Sequence, residues 1–166
     1  MQLSNEWNGL DETTCNLILD FQKEYPIKVG ALARQFGIEV FASTLPANIS
    51  GEIKEVDGTI QVKINRHDTK QRQRFTLAHE ISHFLLHRHL LSRGIIDDVL
   101  YRSAQSTVVE AEANRLAADI LMPPHLINLL MQNCIDLPAK EKKLEYVAQS
   151  LDVSVVALKI RMGLMK

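Results

Sequence analysis

The hydrophobic pattern opens helical: from Asp11 to Tyr25, Leu17, Ile18, Phe21 and Tyr25 recur on one side, as in an amphipathic helix. Asp11 suits the N-cap, and Pro26 ends the segment. A second short helix, Val29 to Phe36, stops at Gly37, which tolerates the left-handed backbone that follows many helices. The period then changes to two. Ile38, Val40 and Ala42 alternate as in a strand, and Glu52–Val56 and Thr59–Asn65 flank Asp57-Gly58, a favoured type I′ hairpin dipeptide. Ile60, Val62 and Ile64 share one face. Glu52, Lys54, Gln61 and Lys63 take the other, so one side of the sheet is wet.

Beyond the hairpin the chain turns helical. Asp68 with Gln71 resembles a capping box, and a long helix follows from Thr69 to His89. Gly94 to Ser106 reads as a loop. A helix from Thr107 to Met122 is closed by Pro123-Pro124, and shorter helices follow at His125–Asn133, Lys142–Leu151 and Val155–Met162. Early strands and late helices predict an α+β fold with a three-stranded antiparallel sheet packed by helices. Residues 1–134 form the main domain with its N-terminal helices. Residues 135–166 form a helical extension packed on it, with a helix-turn-helix rhythm whose small core is Val147, Ala148, Leu151, Val153 and Val156.

Composition narrows the class. The 166 residues suit one domain, with 46% apolar residues for a core and 23% charged ones. A net charge of -1 gives no overall bias toward nucleic acid or anionic membrane. No apolar run approaches the roughly 18 residues needed to span a bilayer, and the first residues carry no secretory pattern. Cys15 and Cys134 stand far apart, outside any CxxC pair, which fits a reducing cytoplasm and two core thiols.

The chemistry lies in His79-Glu80-Ile81-Ser82-His83, an HExxH motif inside the long helix. A spacing of four sets both imidazoles on one face, one turn apart, where they reach a single Zn²⁺. Glu80 projects about 100° from His79 and can accept a proton from water. Zinc lowers the pKa of a coordinated water from about 15.7 to about 7. Phe75, Leu77, Ala78, Ile81, Phe84, Leu85 and Leu86 make the helix apolar over most of its circumference. Such a helix is buried, and its histidines need partners.

A catalytic zinc has three protein ligands and one open position. Glu110-Ala-Glu-Ala-Asn114 offers the third. Glu110, Ala113, Asn114, Ala117 and Leu121 share a face whose alanines permit close helix approach, while Glu112 lines up with Leu116 and Asp119. Glu110 is the first choice and Glu112 the alternative. Asn114, one turn after Glu110, can hydrogen-bond the outer nitrogen of a ligating histidine.

RQRFTLAHEISHFLLH followed by EAEANRLAADILMPP resembles the ImmA/IrrE family of bacterial and phage metallopeptidases. With the hairpin SGEIKEVDGTIQVKIN, the likeness spans Pro26 to Pro124. It implies a zincin-like fold and a gluzincin-like site holding one zinc per chain, with His79, His83 and Glu110 as ligands and Glu80 as general base. It further implies a cytoplasmic zinc endopeptidase that cuts or regulates a partner, a transcriptional repressor or antitoxin, often encoded in mobile elements or stress operons. The competing reading is a zinc-fold sensor that controls a repressor without appreciable turnover.

Other groups carry weaker signals. Tyr101, Arg102, His87, His89 and His125 are candidates to stabilise the transition state, with none singled out. Val62, Lys63 and Ile64 could hold an extended substrate by strand addition if their strand is a sheet edge. Arg66, His67, Lys70, Arg72 and Arg74 cluster before the motif and read as a solvated helix start. The tail offers only Lys159 and Arg161 on its second helix, which speaks against direct DNA binding.

Overall fold

In the computed structural model, which describes residues 1–93, 95–98 and 104–165 (92, 93, 95–98 and 104–106 by backbone alone), Asp57 and Gly58 both take positive φ, 50° and 79°. Two left-handed residues are what a type I′ turn requires. They join β2 (Ile49–Val56) to β3 (Thr59–Asn65) in antiparallel register, Val56 opposite Thr59 and Gly51 opposite Ile64. β1 (Ile38–Ser43) pairs with the other side of β3 in parallel, Ile38 opposite Ile60. β4 (Ile95–Asp98) pairs antiparallel with β2, so the order is β1-β3-β2-β4. Ile53, Ile60, Val62 and Ile64 are buried on the inner face, while Lys63 and Glu52 pair at 3.0 Å on the outer one.

The α+β class stands, but the sheet is four-stranded and mixed rather than three-stranded and antiparallel. Residues 44–48 carry the chain from β1 across the end of β3 to β2, so β1 and β2 flank β3 running in opposite directions. No crossover helix is needed for that path. Asn65 secures it: its buried amide donates to the carbonyls of Leu45, Pro46 and Ile49 at 3.2, 3.3 and 2.9 Å. β4 arises inside the segment read as a loop, since four residues are too few to display an alternation.

The helices follow their caps. α1 (Asn5–Asn8), which periodicity did not announce, is capped by Ser4. In α2 (Glu12–Phe21) Asp11 accepts from the Thr14 amide at 2.9 Å, as expected. That helix ends before Tyr25, because Gln22 turns inward and donates to the carbonyls of Asp119 and Ile120. α3 (Val29–Gln35) leads to Gly37 at φ 73°. α4 (Lys70–Leu86) is capped by Thr69 rather than Asp68, the Thr hydroxyl accepting from the Arg72 amide. It is shorter than predicted, and a 3₁₀ turn, Arg88–Arg93, follows. α5 (Ala104–Leu121) starts before Thr107, within the expected loop. Beyond it come α6 (Pro124–Asn133), α7 (Lys140–Leu151) and α8 (Val155–Arg161). Leu144, Val147, Ala148, Leu151, Val153 and Leu158 are buried in the α7–α8 pair. Val156, expected among them, is 53% exposed.

Of the basic cluster before the motif, Arg66, His67, Lys70 and Arg72 stay exposed, as a solvated helix start would, while Arg74 is partly buried. Arg66 donates to the Ala42 carbonyl and Arg72 to the Ser50 hydroxyl. Arg74 reaches the Ile27 carbonyl at 2.9 Å and pairs with Asp152, the left-handed residue between α7 and α8. Arg72 and Arg74 fasten α4 to β2, Ile27 and the tail, and Arg66 ties the segment before α4 to β1. No helix among the described residues is long and apolar enough to cross a membrane.

Asp119 of α5 is fully buried. One carboxylate oxygen accepts from the Ser4 amide at 3.0 Å, and the other accepts from Arg161 of α8 at 2.5 Å. Removing one partner of a buried pair strands the other charge. Arg161→Met is therefore expected to lose about 3–5 kcal/mol of stability in urea unfolding, whereas Lys28→Met, at an exposed pair with Glu24, should change it by well under about 1 kcal/mol.

Candidate metal centre

The two histidines of the HExxH motif point from α4 toward α5. Their rings meet edge to face with centroids 4.5 Å apart, and their Nε2 atoms are 3.0 Å from each other. Glu110 enters from α5, one carboxylate oxygen 3.0 Å from His79 Nε2 and the other 3.3 Å from His83 Nε2. His79 and His83 are buried, and Glu110 keeps 19% side-chain exposure. Two imidazoles and one carboxylate thus converge on a single point. Ligands held at 2.0–2.2 Å in a tetrahedron lie about 3.3–3.6 Å apart, so donors already 3.0–3.3 Å from one another need move only slightly to hold a small divalent cation.

Charge favours the same end. Burial pushes the His83 imidazole below its ordinary value, against the pull of Glu110, which keeps it neutral as ligation requires. Burial also works to raise the Glu110 carboxyl, but hydrogen bonds from His79 and His83 outweigh it and bring the value to about 2. The pocket thus holds an anionic Glu110 oxygen beside a His83 imidazole kept neutral.

Around the cluster lies a shell of partners. His79 Nδ1 is 3.0 Å from Asn114 Oδ1, the contact expected of Asn114. His83 Nδ1 is 3.0 Å from His87 Nδ1, and His87 Nε2 is 2.9 Å from a Glu112 oxygen. Glu112, the alternative third ligand, is therefore placed on His87 and outside the convergence point. His87, considered as a transition-state stabiliser, is buried with both ring nitrogens engaged. Its legible signal was the spacing, a second step of four that follows the one from His79 to His83. His89 is exposed, and His125 lies on α6 with Nε2 3.5 Å from the Gln22 carbonyl. Tyr101 and Arg102 lie outside the described residues.

Two further expectations meet the structure here. Val62, Lys63 and Ile64 lie on β3, whose backbone pairs with β1 on one side and β2 on the other. A strand with both ladders filled cannot add another, so this segment is no substrate edge. Glu80, by contrast, is wholly buried where α4 crosses β2, facing Gly51. A Cβ at Gly51 would lie 2.8 Å from Glu80 Oε1 and 2.5 Å from Thr76 Cγ2. Glycine here serves close approach, a need that hydrophobic patterning does not reveal.

The profile of Peptidase_M78, the IrrE N-terminal-like domain, matches residues 33–162. The chain belongs to this family. The family is named for a peptidase, and the His79–His83–Glu110 cluster is compatible with a metal site. No curated protein gave a match. Among solved structures, a Mycobacterium tuberculosis transcriptional regulator superimposes with a TM-score of 0.60 at 16% identity. The alignment covers 96% of this chain and 49% of that one, so the chain spans about half the regulator's length. At this identity the likeness concerns the fold.

Gly51→Ala should cost about 1–3 kcal/mol in urea unfolding, the range for overpacking a filled interior. An unchanged midpoint would contradict the close contact with Glu80 and Thr76.

Proposed function

We propose that this Peptidase_M78 member is a zinc-dependent endopeptidase that hydrolyses a peptide bond in a partner transcriptional repressor. The observation carrying this reading is the convergence of His79, His83 and Glu110, with Glu80 next in sequence to His79. In it, His79, His83 and Glu110 are the zinc ligands, Glu80 is the general base, and Asn114 holds the His79 ring. Two nitrogens and one carboxylate form a donor set that suits zinc and leaves a fourth position open. Zinc bound there acts as a Lewis acid and brings the ionisation of water into the neutral range.

The remaining work falls to the chain. Glu80 takes a proton from the attacking water and returns it to the amine of the departing segment, so the carboxylate is regenerated in each turnover. Its burial keeps bulk water from competing for that proton. Asn114 accepts from His79 Nδ1–H and holds that ring in place. A repressor as substrate is supported by the ImmA/IrrE resemblance and by the recurrence of this fold within a larger transcriptional regulator.

Two observations also favour a second reading, a zinc-fold sensor that regulates a repressor by binding it. Glu80 has no solvent exposure, and the fold's counterpart belongs to a regulator. Glu80→Gln separates the readings. Under the peptidase reading it retains zinc, while cleavage of the partner falls by at least about 10²-fold, as for loss of a general base. Intact partner after long incubation with zinc-loaded wild type, with regulation unchanged in Glu80→Gln, would establish the sensor. Chelation gives a separate check. Removing zinc should lower the thermal midpoint and restoring it should recover the midpoint, because ligand bound only to the folded state stabilises it.

A further inference from the structure

The hydrogen-bond chain behind His83 determines where its proton sits. An ionised carboxylate can only accept, so Glu112 requires a proton on His87 Nε2, 2.9 Å away. With one ring proton, on Nε2, His87 has a bare Nδ1. That atom lies 3.0 Å from His83 Nδ1, and two bare nitrogens at this distance would repel. His83 Nδ1 therefore donates, and the His83 lone pair is left on Nε2, facing Glu110 and, at 3.0 Å, His79 Nε2, where a shared cation would take up lone pairs that otherwise repel. Asn114 does the same for His79, since its amide oxygen can only accept.

We propose that His87 and Glu112 are positioning residues, a two-member brace that fixes the tautomer and tilt of His83 so that its Nε2 lone pair points at the metal. The brace rests on the metal reading given above and extends it. Its geometry is specific. His87 is buried at 5% exposure, and α4 carries it one turn beyond His83. Glu112 sits two residues after Glu110, so α5 supplies both the anionic member of the metal cluster and the anchor of the brace. Each His83 nitrogen thus answers to a different glutamate of α5. The negative end at Glu112 also makes His83 a stronger donor, because a proton shared toward an anion leaves more electron density on the ring.

The test uses the full-length chain loaded with zinc. ¹⁵N correlation spectra of the imidazoles should show protons on Nδ1 of His83 and Nε2 of His87. Zinc affinity, measured by competition with a chromophoric chelator, should fall about 10–100-fold in His87→Phe, the range for losing an outer-shell partner. His87→Gln should recover most of it, since the carboxamide accepts from His83 and donates toward Glu112. Glu112→Leu should weaken zinc in the same direction. Should His87→Phe fail to fold, the wild-type spectra and the Gln variant decide alone. Wild type that binds zinc with a proton on His87 Nδ1, or with affinity unchanged in His87→Phe, overturns the brace and leaves the metal reading standing. Wild type that takes up no zinc overturns both.

Discussion

Helix α4 packs along α5, and the alanines they contribute to the interior, Ala78, Ala113 and Ala117, are wholly buried. The same interior takes in three imidazoles, His79, His83 and His87. Buried polar groups are costly unless each finds a partner, and this need governs everything between the two helices. Glu110, Glu112 and Asn114 stand in the middle of the α5 sequence because the histidines of α4 must be answered there. The metal cluster is one layer of that matching, and the contacts on the Nδ1 side are the next.

The sheet serves this pairing from beneath. β2 lies under α4 and brings Gly51 against Glu80 and Thr76. A side chain at residue 51 would push the carboxylate away, so helix height over the sheet and carboxylate position are one variable. Arg72 and Arg74 hold the first half of α4 at that height through Ser50, Ile27 and Asp152. The charges that look like a surface patch in the sequence are mostly fasteners.

How much could be read from the sequence depended on how local each signal was. Asp57-Gly58, the Asp11 cap and the four-residue spacing of His79 and His83 act over a few residues, and the structure agrees with all three. The Glu110 face was legible because Asn114, Ala113 and Ala117 lie on the same stripe. Parallel pairing of β1 with β3 was not, since that register is fixed by a path around the strand end and by Asn65, neither of which shows in alternation. The same limit leaves open, in the sequence, whether Val62, Lys63 and Ile64 lie at an edge. The Thr69 cap missed by a single residue, two adjacent polar side chains being equally plausible. His87 reads from the sequence only as one of several candidate transition-state stabilisers, and only α5 shows what it touches.

Asp119 joins the segment that opens the chain to the one that nearly closes it, through Ser4 and Arg161. The helix carrying Glu110 therefore borrows support from sequence neighbourhoods more than a hundred residues apart. Excising the stretch between the hairpin and Pro124, which holds every residue of the metal cluster, would leave a bare carboxylate in an apolar interior. The signature motifs are a minority of the chain, yet they cannot be cut out as a working miniature.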